Sequence, residues 1–191
     1  KVEVPAEWAN ITVKEAEAVA DDAPEFINKI VRPINSLKGD DLPVSAFVGR
    51  EDGTWDPGTA AYEKRGIAVN VPEWQSENCI QCNQCAYVCP HAVIRPFLLT
   101  DEEAAAAPAG MKTVQGNGAT KAYKFRIQIS PLDCTGCNNC ADVCPAPTKA
   151  LVMKPLESQL DEQKNWEYLT KKVGYKDTVV DKTKTCLLYT S

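Results

Sequence analysis

An α+β fold is predicted by three features of the sequence. Two twelve-residue runs, C-I-Q-C-N-Q-C-A-Y-V-C-P (79–90) and C-T-G-C-N-N-C-A-D-V-C-P (134–145), share one cysteine spacing and hold eight of the nine cysteines. A short apolar segment follows each run, A-V-I-R-P-F-L-L from Ala92 and the stretch 150–153. The order cysteine loop, turn of helix, strand thus occurs twice. It implies one small sheet in which those two strands pair, with the helical turns on one face.

Each run reads C-x2-C-x2-C-x3-C-P, the bacterial ferredoxin spacing for a [4Fe-4S] cluster. A cubane presents four irons at the corners of a tetrahedron, so thiolates at every third residue let one tight loop ligate three of them. In two-cluster ferredoxins the fourth cysteine of each run serves the other cluster. That rule assigns Cys79, Cys82, Cys85 and Cys144 to cluster 1, and Cys134, Cys137, Cys140 and Cys89 to cluster 2. Each cluster would then staple one half of the domain to the other, coupling folding to metal loading. Pro90 and Pro145 turn the chain away from the last ligands. Structural zinc sites use two separated C-x2-4-C pairs without a third cysteine in step. Disulfide frameworks belong to shorter secreted chains without such triplets.

At 191 residues, 44% hydrophobic and 25% charged, the composition is that of an ordinary soluble globular protein. A net charge of −5 with no basic stripe gives no sign of a nucleic-acid partner. No apolar run is long enough for a bilayer, so no membrane partner is expected. The first ten residues lack the basic and apolar regions of a secretory signal, and with Lys1 rather than Met in first place the beginning of the natural chain is expected upstream. Reduced thiolates and oxygen-labile clusters imply a cytoplasmic, anaerobic setting. His91 is the single histidine; it reads as a half-exposed loop residue, and a metal site needing two imidazoles is excluded within this chain. Nothing in the sequence points to a catalytic triad.

In chain order, Val2 and Val4 alternate with charge as a short strand ending at Pro5. An acidic stretch without clear pattern follows to Asp22. Asp22-Ala-Pro24 then starts a helix with Phe26, Ile27, Ile30, Val31 and Ile34 at helical spacing, bent or ended by Pro33, with Gly39 past its end. Turn formers dominate 48–58, Glu63-Lys64-Arg65 reads as a solvated face, and Ile67, Val69 and Val71 alternate in a strand leading into Pro72. After the first cysteine run the strand is expected to stop at Pro96. Thr100 and Glu103 form a capping box for a short helix ended by Pro108 and Gly110. Tyr123, Phe125, Ile127 and Ile129 alternate with Lys124, Arg126, Gln128 and Ser130, predicting a half-buried strand into the second run. The 43 positions between Pro90 and Cys134 exceed what a minimal ferredoxin needs, so about 96–122 reads as an insertion that covers the clusters or offers a docking surface. Ser158-x-x-Asp161 starts a helix through Trp166 and Leu169 to about Gly174. Its apolar face is thin, so it is expected to lean on something else or be poorly ordered. Cys186 fits no ligand spacing and reads as a free thiol or as part of a foreign tail.

The neighbours of the cysteines carry a further signal. K-G-D-D-L-P-V-S-A-F (38–47), G-T-A-A-Y-E-K-R-G-I-A-V-N-V-P-E-W (58–74), the first cysteine run and L-V-M-K-P-L-E-S-Q-L-D-E-Q-K-N-W-E-Y-L (151–169) closely resemble pyruvate:ferredoxin (flavodoxin) oxidoreductase. The resemblance runs from about residue 1 to 184 and fails at 186–191. It implies an internal piece of a large thiamine-diphosphate enzyme: the end of a preceding domain (1–37), a Glu-Lys-Arg linker domain (38–74), the ferredoxin-like two-[4Fe-4S] domain (75–155), a helix and linker (156–185), and the tail (186–191). The function implied is electron relay during oxidative decarboxylation of pyruvate to acetyl-CoA, with ferredoxin or flavodoxin as acceptor. Thiamine diphosphate, Mg2+, a further [4Fe-4S] cluster and the sites for pyruvate and coenzyme A would lie outside this chain, in a parent expected to be a homodimer. Only the eight cysteine ligands carry over, and no catalytic residue does. A free-standing ferredoxin-like carrier is the alternative. Different residues inside the two loops predict unequal cluster potentials.

Overall fold

A computed structural model of the chain describes residues 5, 6, 23–174 and 176. The strand expected at Val2 and Val4, the acidic stretch and its cap at Asp22, and the tail with Cys186 lie outside the described residues. The chain divides into two compact units, Lys1–Glu63 and Lys64–Ser191.

In the first unit, Pro33 does not end the helix. The turn before it widens to a π-helical segment, Ile27–Val31, closed by a bond from the Arg32 N–H to the Ile27 carbonyl, and Pro33 then stands in the first turn of α1 (Arg32–Asn35). The widened turn shifts the hydrogen-bond ladder just before the proline, so the helix runs through it. Ile27, Ile30 and Val31 are buried. The Phe26 ring meets Trp55 edge-on at 4.8 Å between centroids and carries the Arg50 guanidinium on its face at 3.8 Å.

The second unit is built from β1 (Asn70–Trp74), α2 (Gln84–Tyr87), β2 (Ile94–Leu99), α3 (Asp101–Ala105), β3 (Val114–Gln115), β4 (Lys124–Ile129), α4 (Asn139–Val143), β5 (Leu151–Pro155) and α5 (Glu162–Lys172). The strands after the two cysteine runs do not pair with each other, contrary to the expectation of one sheet. Two antiparallel sheets form instead, β1 with β5 and β2-β4-β3. The strand entering each run pairs with the strand leaving the other, Trp74 opposite Leu151 and Ile129 opposite Ile94. The repeat is therefore closed crosswise, with α2 packed on α4 between the two halves.

Neither Pro72 nor Pro96 stops its strand; each lies inside one. The bonds from Gln75 N–H to the Ala150 carbonyl (2.8 Å) and from Ser130 N–H to the Val93 carbonyl (2.9 Å) mark hydrogen-bonded pairs. Such pairs alternate along an antiparallel ladder, so Pro72 opposite Met153 and Pro96 opposite Ile127 fall where no N–H is needed. Both strands are also sheet edges, where proline is tolerated. β1 itself begins only at Asn70, and Ile67 and Val69 are exposed.

β4 is buried on both faces rather than half-buried. Its apolar face, Phe125, Ile127 and Ile129, joins Val71, Trp74, Val93, Ile94, Leu98 and Leu151 in the core. Its polar face, Arg126, Gln128 and Ser130, is equally enclosed. α5 covers it: Glu162 accepts from Arg126 and Gln128, and Trp166 and Leu169 are buried. The thin apolar face of α5 thus matches a strand face that offers charge and amide rather than hydrocarbon. Tyr168 Oη adds a 2.6 Å bond to the Glu103 carbonyl at α3.

α3 starts at the expected capping box, with the Glu103 N–H donating to Thr100 Oγ1 at 3.1 Å and the Thr100 N–H to Glu103 Oε2 at 2.8 Å. Residues 96–99 of the stretch read as an insertion belong to β2, and the rest forms α3, β3 and a 3-10 turn, Gly118–Thr120. Gln81, within the first cysteine run, holds this stretch. Its amide donates to the Gln115 carbonyl at 2.8 Å and accepts from the Asn117 N–H at 3.1 Å.

Candidate metal centre

The two loops are shaped alike. In the first, Gln81 and Asn83 take left-handed conformations (φ 60° and 59°); in the second, Gly136 and Asn138 do so at the same offsets from the leading cysteine (φ 71° and 68°). Two left-handed residues alternating with three cysteines coil the backbone tightly, a conformation most side chains resist. At Gly136 a side chain is excluded outright, since a Cβ there would stand 2.9 Å from the Asn70 carbonyl oxygen. The third cysteine of each run rides on the helical turn that follows, Cys85 on α2 and Cys140 on α4.

The eight thiols fall into two groups around two hollows of nearly equal size, ≈ 340 and ≈ 330 Å³ including space open to solvent. Cys79, Cys82, Cys85 and Cys144 line one; Cys134, Cys137, Cys140 and Cys89 line the other. The fourth cysteine of each run has crossed to the hollow of the other, as the strand pairing requires. Cys134, Cys140 and Cys144 are buried and Cys137 is exposed. His91 is exposed at the edge of the second hollow.

The electrostatics of these hollows call for positive charge. Burial pushes the Cys85 and Cys140 thiols up to about 12, and the sulfurs around them add to the shift. Burial also raises Cys79 and Cys134, partly offset by Trp74 and the Gln81 N–H at Cys79 and by the Gly136 N–H at Cys134. Four such groups become thiolates together only when a cation compensates them. Backbone donors already point at sulfur, Gly136 N–H to Cys134 Sγ and Ala150 N–H to Cys144 Sγ, each at 3.4 Å. Among the described residues no three Cys, His, Asp or Glu side chains converge as a single metal ion requires. Four thiols around each hollow suit the larger cubane, whose irons lie at separate corners.

Lys64 is a residue that sequence reasoning placed on a solvated face. It pairs with the Asp133 carboxylate, which also accepts from Ser130 Oγ at 2.6 Å. The Gly66 N–H bonds the Leu132 carbonyl at 2.9 Å. The Lys-Arg-Gly stretch is thus fastened to the two residues immediately before Cys134. A run of three charges gives no sign of this; only the return of the chain to that loop does.

Fold and site together define a two-cluster iron–sulfur domain. Residues 78–150 match the family model described as a 4Fe-4S dicluster domain, and residues 12–68 match that of the EKR domain, described as a domain of unknown function. The domain is one that holds two [4Fe-4S] clusters. Among similar proteins, pyruvate:ferredoxin oxidoreductase of Moorella thermoacetica is 60% identical over 158 residues, 82% of this chain and 13% of that protein. Pyruvate-flavodoxin oxidoreductase of Klebsiella pneumoniae is 55% identical over 168 residues, 88% of this chain and 14% of that protein. The mitochondrial pyruvate dehydrogenase [NADP(+)] of Euglena gracilis is 42% identical over 186 residues, 95% of this chain and 10% of that protein. The chain belongs to the pyruvate:ferredoxin and pyruvate-flavodoxin oxidoreductase family, and it spans about one-seventh of the length of those relatives. Among the described residues no helix is long and apolar enough to cross a membrane.

Proposed function

We propose that this chain is the electron relay of a pyruvate oxidoreductase, with cluster 1 held by Cys79, Cys82, Cys85 and Cys144 and cluster 2 by Cys134, Cys137, Cys140 and Cys89. The observation that carries the ligand assignment is the crossed grouping of the eight thiols around two hollows. The clusters, when bound, supply one-electron redox chemistry. The chain's own residues hold the sulfurs, aim N–H donors at them and exclude water around them, which are the levers that set potential. Cys137 brings the second hollow to the surface, so that hollow is the exit side of the relay.

The relatives are named for ferredoxin, flavodoxin and NADP+ while this segment stays 42–60% identical to theirs. That favours a role in the part of the electron path they share. Ferredoxin or flavodoxin is the acceptor in this reading. Pyruvate, coenzyme A, thiamine diphosphate, Mg2+ and a further cluster are handled by other parts of a homodimeric, cytoplasmic, anaerobic parent. Within the chain, 38–63 serves as the linker and the unit that begins at Lys64, which takes in β1 and α5, as the cluster domain.

The test is an exchange of the matched segment into the Moorella enzyme. Retained pyruvate-dependent reduction of ferredoxin, abolished by Cys82→Ser, supports the relay. A folded hybrid with eight irons in this segment that passes no electrons from pyruvate overturns it.

A further inference from the structure

Pseudo-symmetry makes the two hollows nearly equivalent, so a difference between them stands out. Trp74 is the last residue of β1, five residues before Cys79, and lies opposite Leu151, the first residue of β5. Its counterpart is Ile129, the last residue of β4, five residues before Cys134 and opposite Ile94, the first of β2. A backbone N–H reaches a sulfur in each hollow, Ala150 at Cys144 and Gly136 at Cys134, both at 3.4 Å. The side chains at the two strand ends differ.

The Trp74 ring is 7% exposed and lines the hollow of Cys79, Cys82, Cys85 and Cys144. Its Nε1–H is fully buried and lacks a partner at full hydrogen-bonding geometry. The hollow it borders presents the sulfurs of Cys79, Cys82, Cys85 and Cys144, of which Cys79 follows Trp74 by five residues. A buried indole N–H without an acceptor is costly, and a cluster thiolate supplies the acceptor a neutral thiol does poorly. The ring is held from two sides, by Phe125 edge-on at 6.5 Å and by the Arg126 guanidinium at 5.5 Å from its centroid.

We infer that Trp74 is a positioning residue that donates its indole N–H to the Cys79 ligand, and that it raises the potential of cluster 1. Added electron density falls partly on the sulfurs, so a donor there stabilises the reduced form more than the oxidised one. Ile129 carries no side-chain donor and does not line the second hollow. The inference rests on the cluster assignment proposed above and adds to it a residue that tunes cluster 1.

The experiment is an anaerobic, EPR-monitored redox titration of the chain reconstituted with iron and sulfide, with resonance Raman of the Fe–Sγ modes. Trp74→Phe keeps an aromatic ring and removes the donor, and Phe125→Leu disturbs the same packing but leaves the donor in place. The expected result is that Trp74→Phe lowers one of two potentials by about 59 mV, a tenfold shift in that one-electron equilibrium, stiffens Fe–Sγ modes of one cluster, and leaves the other cluster unmoved. Two clusters with potentials unmoved by Trp74→Phe, or moved equally by Phe125→Leu, overturn the role of Trp74 while leaving the assignment intact. A reconstituted wild type without two four-iron clusters overturns both.

Discussion

Arg126 and Glu162 give the sharpest energetic prediction, because the two ends of their ion pair sit in different surroundings. The Arg126 side chain is 4% exposed and that of Glu162 is 36%. Arg126 donates Nε to Gln128 Oε1 at 2.7 Å, Nη1 to the Lys112 carbonyl and Nη2 to Glu162, each at 2.5 Å. Glu162 also accepts from Gln128 Nε2 and Asn165 Nδ2, both at 3.0 Å. Glu162→Gln leaves a buried guanidinium without a counter-charge, a loss of about 3–5 kcal/mol. Arg126→Met leaves a carboxylate that water reaches and two donors still serve, so its cost falls to about 1–3 kcal/mol. Glu162→Gln is therefore expected to loosen α5 by about 2 kcal/mol more than Arg126→Met, roughly 30-fold in the local opening equilibrium. Anaerobic hydrogen exchange read by mass spectrometry on peptides covering 162–172 measures it. An equal or larger effect of Arg126→Met refutes the reasoning.

Two further outcomes follow from the same contacts. Burial raises the Glu162 carboxyl, but the Arg126 charge and the donors around it outweigh burial and hold it below its ordinary 4.5. A depressed carboxylate contributes fully above its unfolded value and loses its contribution only as pH falls through the lower one. α5 protection, corrected for intrinsic exchange, is thus expected to stay flat from about pH 8 to about pH 5.5, and a fall within that range contradicts the pairing. Lys64→Met removes the lysine from Asp133 and leaves Ser130 as its partner. The loop before Cys134 should weaken by about 1–3 kcal/mol, and a chelator should strip the second cluster faster while the first keeps its rate. Equal acceleration at both clusters would contradict a local role for Lys64.

The cysteine spacing alone carried the reading of the site, because a cubane makes demands on spacing that few other ligands share. The α+β class, the capping box at Thr100 and the apolar face of β4 were also legible, each being a local pattern. What misled was pairing. Pro72 and Pro96 read as stops, since the sequence does not say which side of a ladder a residue faces or whether its strand is an edge. Arg126, Gln128 and Ser130 read as solvent-facing, since alternation marks a polar face without saying that Glu162 returns to cover it. Lys64 and Trp74 were missed for the same reason: each meets groups brought to it by the fold, Asp133 in one case and the thiols of the first hollow in the other.

Crossed ligation is the claim that follows from the strand pairing and on which the relay depends. The direct measurement compares EPR spectra of the reduced, reconstituted chain carrying Cys144→Ser with those carrying Cys79→Ser and Cys134→Ser. The account predicts that Cys144→Ser alters the signal that Cys79→Ser alters, although it lies in the other run. If Cys144→Ser instead reproduces the spectrum of Cys134→Ser, each run serves its own cluster and the account is wrong.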